Sequence, residues 1–173
     1  MATEVGDIEQ GASPRGVRVR ALTPADFMAL CRYDWSPLVS ERDTVYLFIT
    51  QDHARYCFAA EAGRGKTIGY LVAAGSPDGK AVFVLHVHVR SKYRRRGVGS
   101  ALVRALEESA CSAGVEVIWF LARDQATDFY SRLGYGPMDD LLHPEAQRYV
   151  RDWKRTGVMG KRLDSPGGGE GPP

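Results

Sequence analysis

The sequence predicts a mixed α/β domain, with a central, mostly antiparallel sheet and helices on both faces. Three observations carry this. Three strand-like runs follow one another between Tyr56 and Arg90, separated by turns rich in Gly, Pro and Asp. Directly afterwards the apolar spacing changes to three and four over Gly97–Ala113. That stretch leads into a near-continuous apolar run, Val115–Leu121, as expected of a strand covered on both faces.

The elements follow in order. Val17–Ala21 alternates apolar and basic residues and reads as a short strand. Thr23-Pro24-Ala25-Asp26 supplies an N-cap, a proline at the first helical position and an acid in the first turn, so a helix is expected to about Tyr33. Trp35-Ser36-Pro37 breaks it, and Ser40 to about Arg55 reads as a second helix. Tyr56–Glu61 and Thr67–Ala74 form a hairpin across Gly63-Arg64-Gly65-Lys66. Ser76-Pro77-Asp78-Gly79 turns the chain into the strand Ala81–Arg90. In the helix Gly97–Ala113, Val98, Ala101, Leu102, Ala105 and Leu106 share one face, and Gly114 closes it. Asp124–Leu133 is a further helix capped by Gly134, Tyr135–Met138 a short strand, His143–Lys154 helical, and Val158–Leu163 the last strand. The unit from Ala81 to Leu121 is expected to be a right-handed parallel crossover. Residues 1–16 and 164–173 are expected to be flexible tails around one domain, 17–163.

Composition bounds the function. The chain has 173 residues, enough for one domain with a sizeable core. With 44% hydrophobic and 25% charged residues it reads as a soluble globular protein. No run approaches the ~18 apolar residues of a membrane span, and the first residues lack the order of a secretory signal. Cys31, Cys57 and Cys111 are too scattered for a disulfide framework or zinc site, which fits reduced thiols in the cytoplasm. A net charge of +2 argues against general nucleic-acid binding. The basic charge is nevertheless local: Arg90, Lys92, Arg94, Arg95 and Arg96 stand within seven positions.

That cluster sits where a strand feeds a helix, in Arg94-Arg95-Arg96-Gly97-Val98-Gly99-Ser100. The first turn of a helix offers backbone N–H groups and a partial positive charge, and glycine lets a phosphate approach closely. The arrangement is neither the dinucleotide-binding fingerprint G-x-G-x-x-G nor a Gly-Lys-Ser/Thr phosphate loop. An alternative meaning of the arginine run is a solvated basic face.

The segment Val84–Leu106 resembles motif A of the GNAT superfamily of acyl-CoA-dependent N-acyltransferases, a strand followed by Gln/Arg-x-x-Gly-x-Gly/Ala opening a helix. A second family block, Asn-x-x-Ala-x-x-x-Tyr-x-x-x-Gly-Phe, is similar to Arg123–Tyr135, with Ala126, Tyr130 and Gly134 matching, Arg123 in place of Asn and Tyr135 in place of Phe. The resemblance extends from about Val17 to Leu163, and the closing strand is similar too. It implies a GNAT fold whose sheet splays between the fourth and fifth strands, with acetyl-CoA in the gap. Pantetheine is then expected along Val87, His88 and Val89, as an added strand. Pyrophosphate is expected on Arg94, Arg95, Arg96, Gly97, Val98, Gly99 and Ser100, with Arg123, Ala126 and Phe129 also on the cofactor. Tyr130 matches the family's general acid, which assists the departing thiolate.

An alkylammonium has a pKa near ~10, so it must lose a proton before attack. His86 and His88 share one strand face by period two, and an imidazole suits that relay. The other meaning is a pair of half-buried histidines shaping the acceptor pocket; no third residue makes them a metal site. By family position, the acceptor side carries Tyr33, Asp34, Trp35, Glu41, Asp43 and Tyr46 besides His86, which suits a small cationic amine. Tyr46–Gln51, Cys57–Ala60, Ile68–Leu71 and Phe83–Val89 are also similar to the diaminobutyrate acetyltransferases of ectoine synthesis, whereas Leu38–Asp43 does not reproduce their residues. The expected function is therefore acetyl-CoA-dependent N-acetylation of a small amine by a monomer or homodimer. Acetylation of an antibiotic or toxin, and a CoA-binding module without catalysis, are the alternatives.

Overall fold

The computed structural model describes residues 14–26, 52–142, 144–145, 147–148 and 156–164. Seven strands form one sheet: β1 (Val17–Ala21), β2 (Phe58–Ala62), β3 (Lys66–Gly75), β4 (Ala81–Val89), β5 (Val117–Arg123), β6 (Gly136–Pro137) and β7 (Thr156–Arg162). Their spatial order is β1-β2-β3-β4-β5-β7-β6. Every neighbouring pair is antiparallel except β4 and β5. Helix α1 (Val98–Ser112) joins those two, and α2 (Asp124–Ser131) follows β5.

The expected mixed sheet is present, and the edges of several elements move for physical reasons. β2 starts at Phe58 rather than Tyr56, because Asp52–Tyr56 forms a 3-10 turn. The buried Tyr56 ring occupies the space that Gly75, lacking a side chain, leaves free: a Cβ there would lie 2.9 Å from the ring. β5 starts two residues late and runs on to Arg123, because β7 pairs with it along its whole length. Asp139–Leu141 adds a 3-10 turn that the sequence did not announce. Pro14 to Gly16, placed in the N-terminal tail, form a turn in which the Val17 N–H donates to the Pro14 carbonyl (2.9 Å). The two helices expected between Thr23 and Arg55 lie mostly outside the described residues, as does much of His143–Lys154.

At Thr23 the helix start does form. The Asp26 carboxylate accepts from the Thr23 N–H and hydroxyl, each at 2.8 Å, as in a capping box. Arg20 then grips Asp26 with two bonds of 2.7 Å and Glu61 of β2 at 2.8 Å. Burial alone would raise the Asp26 carboxyl; the bonds from Arg20 and Thr23 outweigh it and hold it at about 2. The ionised carboxylate therefore stabilises the fold above the ordinary value of 3.8, and this contribution disappears as pH falls from there through about 2. Asp26→Asn is expected to lower Tm at pH 7 by about 3 °C, on the order of 1 kcal/mol for a partly exposed pair. The difference from the parent should vanish below pH 2 in thermal melts; an unchanged gap would remove this ion pair as its cause.

One register detail positions the site. Val72 pairs with His86 and Ala73 with Val84, so Leu85 is an extra residue in β4. Uninterrupted alternation from Val82 and Val84 would put both histidines against α1. The bulge reverses the parity: Val82 and Val84 belong to the core under α1, and Val87 and Val89 pack against it as well. His86 and His88 therefore share the opposite face with Val72 and Tyr70, their cross-strand partners.

α1 covers the first face through Val98, Ala101, Leu102, Leu106 and Ala110, all buried. It ends as expected on a left-handed Gly114 (φ 74°), with the Val115 N–H returning to the Ala110 carbonyl.

Candidate active site

β4 and β5 share register only at Ala81–Val117, Val82–Ile118 and Phe83–Trp119. Beyond Phe83, β4 stays with β3 to Val89, and β5 stays with β7 to Arg123. The sheet thus opens between its two parallel strands. The ladder also tells which β4 groups line the opening. The Arg90 N–H donates to the Ile68 carbonyl at 2.9 Å, which makes Val89–Gly69 a pair whose backbone groups point away from each other. Val87, two residues back, has the same orientation. The N–H and C=O groups of Val87 and Val89 therefore point to the side of the opening.

At the mouth of the opening the chain makes a tight turn. Arg95 is left-handed (φ 57°), an uncommon conformation for a residue with a side chain. Gly97 is left-handed too (φ 79°) and occupies the N-cap of α1. No side chain caps this helix start and no acid stands in its first turn. The first intrahelical bond is Ala101 N–H to Gly97 C=O (2.9 Å), so the N–H groups of Val98, Gly99 and Ser100 point out of the helix end. Arg94, Arg95, Arg96 and Gly97 are exposed around them. This arrangement suits an anion.

Two of the residues expected on the cofactor also make contacts within the protein. Arg94 donates through Nε to the Val89 carbonyl (2.9 Å) and so ties the turn to the end of β4. A Cβ at Gly99 would lie 3.2 Å from Phe129 Cζ and 3.8 Å from Val89 Cγ2, so the bare Cα admits the ring of α2. Phe129 thereby joins α2 to the first turn of α1. Pro14 lies against Gly97, 3.2 Å from where its Cβ would be, a neighbour that no local sequence signal announced.

Tyr130 stands on the β5 side. Its ring packs on Phe120 of β5 at 4.1 Å, on Phe129 at 4.8 Å and edge-on to Tyr135 at 6.0 Å. Burial pushes its phenol up to about 12, so the proton stays on through the physiological range and is available for donation. On the β4 side His88 stacks on the buried Tyr70 (5.7 Å, 14° between planes). Burial, and then the positive charges of Arg94, His86 and Arg90, push the His88 imidazole below its ordinary 6.5, which favours the neutral, proton-accepting form. The backbone places Arg123 at the end of β5 and Ala126 in α2. Tyr33, Asp34, Trp35, Glu41, Asp43 and Tyr46 lie outside the described residues. Among the described residues no group of three or more His, Cys, Asp or Glu could hold a metal ion, and no helix is long and apolar enough to cross a membrane.

The sheet thus splays beside an uncapped, arginine-rich helix start. The profile of the acetyltransferase (GNAT) family matches residues 23–135, more than half of the sequence, and the chain belongs to that family. Acetyl-CoA is the cosubstrate of this family. A mycothiol acetyltransferase of Pseudarthrobacter chlorophenolicus is 28% identical over 118 residues, 62% of this chain and 36% of that protein, so the chain spans about a third of its relative's length. The fold is similar to Ard1 from Thermoplasma volcanium (TM-score 0.68, 16% identity, 87% of this chain and 99% of that one). It is also similar to the PaiA N-acetyltransferase of Thermoplasma acidophilum in complex with coenzyme A (TM-score 0.65, 13% identity, 85% and 99%).

Proposed function

We propose that this protein transfers an acetyl group from acetyl-CoA to a primary amine of a small molecule, an amino acid, a diamine or an amine-bearing natural product, by direct attack with both substrates bound. The observation that carries the reading is the opening between β4 and β5, with outward-facing backbone groups on one side and a protonated, half-buried phenol on the other. Bound acetyl-CoA supplies the activated thioester carbonyl. The chain's own residues do the rest. First-turn amides of α1, with Arg95 and Arg96, hold the pyrophosphate. Val87 and Val89 pair with the pantetheine arm in strand fashion. His86 and His88, on the face opposite α1, relay the proton from the ammonium, directly or through water. Tyr130 gives its proton to the departing sulfur.

The small acceptor is supported by the acids and aromatics of Tyr33–Tyr46. The catalytic domain in this reading spans residues 17–163 and works in the cytoplasm. Thiol release from acetyl-CoA, measured against a panel of small amines and short peptides, tests it. Turnover is expected with at least one diamine or amino acid. Release only with peptides would overturn the small-molecule acceptor.

The relay has its own test. Since His88 is neutral down to below pH 6.5, kcat/KM is expected to rise through an apparent pKa below that value and then level off until the amine titrates. His88→Ala should flatten this acidic limb. An identical limb in the variant assigns it to another group.

A further inference from the structure

α2 has only eight residues, and a helix this short depends on tertiary contacts for its placement. Its end is built with unusual redundancy. Gly134 is left-handed (φ 85°). The Gly134 N–H donates to the Ser131 carbonyl (3.0 Å) and the Tyr135 N–H to the Tyr130 carbonyl (3.2 Å), the two bonds of a Schellman motif. The side-chain contact that accompanies such an ending is between the same two tyrosines, edge to face at 6.0 Å. Tyr130 is thus fixed through its own carbonyl and through its ring.

A cation from another strand holds this ending. Lys161 of β7 donates through Nζ to the Leu133 carbonyl at 3.2 Å, in the residue just before Gly134. The same ammonium bonds the Glu107 carboxylate of α1 at 3.0 Å. It also lies 5.7 Å from the centre of the Tyr135 ring. Tyr135 in turn packs on Phe120, as Tyr130 does. One side chain therefore links α1, the end of α2 and the aromatic cluster around the phenol. The Lys161 and Glu107 side chains are 31% and 19% exposed, so the pair is partly withdrawn from water and less screened than a surface pair.

We propose that Lys161 is a positioning residue for the reaction: by bridging Glu107 and the Leu133 carbonyl it sets the end of α2 and with it the direction of the Tyr130 hydroxyl. The inference rests on Tyr130 as the general acid. A donor displaced by about 1 Å loses on the order of 100-fold in rate, so a partial loss of this support should be visible in turnover.

The test combines kinetics with a direct view of the ring. Lys161→Met is expected to lower kcat about 10-fold while the Kd for acetyl-CoA changes less than about 2-fold. Lys161→Arg, which keeps a cation able to reach both acceptors, should recover kcat to within about 3-fold. Glu107→Gln should act in the same direction as Lys161→Met and replaces it if that variant fails to fold. In the Tyr130→Phe background the Lys161 substitution should cost nothing further, as for residues acting through one group. In protein carrying 13C-labelled tyrosine, the Tyr130 ring resonance, assigned by its loss in Tyr130→Phe, should move in Lys161→Met. Wild-type kcat with an unmoved resonance overturns the proposal, and so does a loss of the same size when Tyr130 is already Phe. A moved resonance together with full turnover in Tyr130→Phe would retain Lys161 as the support of α2 and reject the acid assignment alone.

Discussion

Tyr130→Phe is expected to lower kcat about 100-fold, the lower end of what a positioned general acid contributes, while acetyl-CoA binds as before. The substitution removes one oxygen and leaves the ring that packs on Phe120, Phe129 and Tyr135. Packing alone would thus predict almost no effect. The phenol carries its proton through the physiological range, because burial pushes it up to about 12. A thiolate leaving group needs a proton less as its own pKa falls, so the deficit should shrink with an acyl donor whose thiol is more acidic. Turnover equal to the parent would dismiss Tyr130 as the acid; a loss that appears in acetyl-CoA binding instead would make it a binding residue.

The second large effect is expected at Gly99. Gly99→Asp is expected to weaken acetyl-CoA binding 100-fold or more, about 2.7 kcal/mol. It places a carboxylate within the first turn of α1, where outward N–H groups and the helix dipole favour a bound anion, and it crowds Phe129. Gly99→Ala separates the two causes. It presses the same ring, 3.2 Å away, and adds no charge, so its loss should stay below about 10-fold. Isothermal titration with acetyl-CoA, alongside a melting curve for each variant, reads both. Equal losses for Ala and Asp would assign the effect to packing and withdraw the phosphate site.

The parts of this site that the sequence made legible are those written in consecutive residues. Gly97 and Gly114 bracket a helix whose apolar residues recur at three and four, and α1 runs between them. Val115–Leu121 is apolar enough to announce a covered strand, though its ends depend on β7. Tyr130 and Gly134 stand at the spacing of a family block, and the structure gives that spacing a reason: Gly134 permits the ending that returns Tyr135 to the Tyr130 carbonyl. The parity of β4 was not legible, since nothing in Val84-Leu85-His86 marks Leu85 as the unpaired residue. The real neighbour of Gly99 was hidden for the same kind of reason, because Phe129 arrives from thirty residues further along. Lys161 meets Glu107 across 54 positions, and a lone lysine in a strand carries no sign of such a partner.

The extra residue in β4 has a consequence for how this protein can change. Because Leu85 offsets the strand, the residues that press on α1 and those on the opposite face form two separate rows. Exchanging His86 or His88 for another polar side chain alters the second row and leaves Val87 and Val89 where they were. If that row faces the amine as proposed, its recognition can be rewritten from one generation of variants to the next with little penalty in folding. Deleting Leu85 would remove the bulge and leave both rows in place, since Val84 and His86 would then follow one another on opposite faces of the strand; pairing Leu85 with Val72 instead would exchange the two rows.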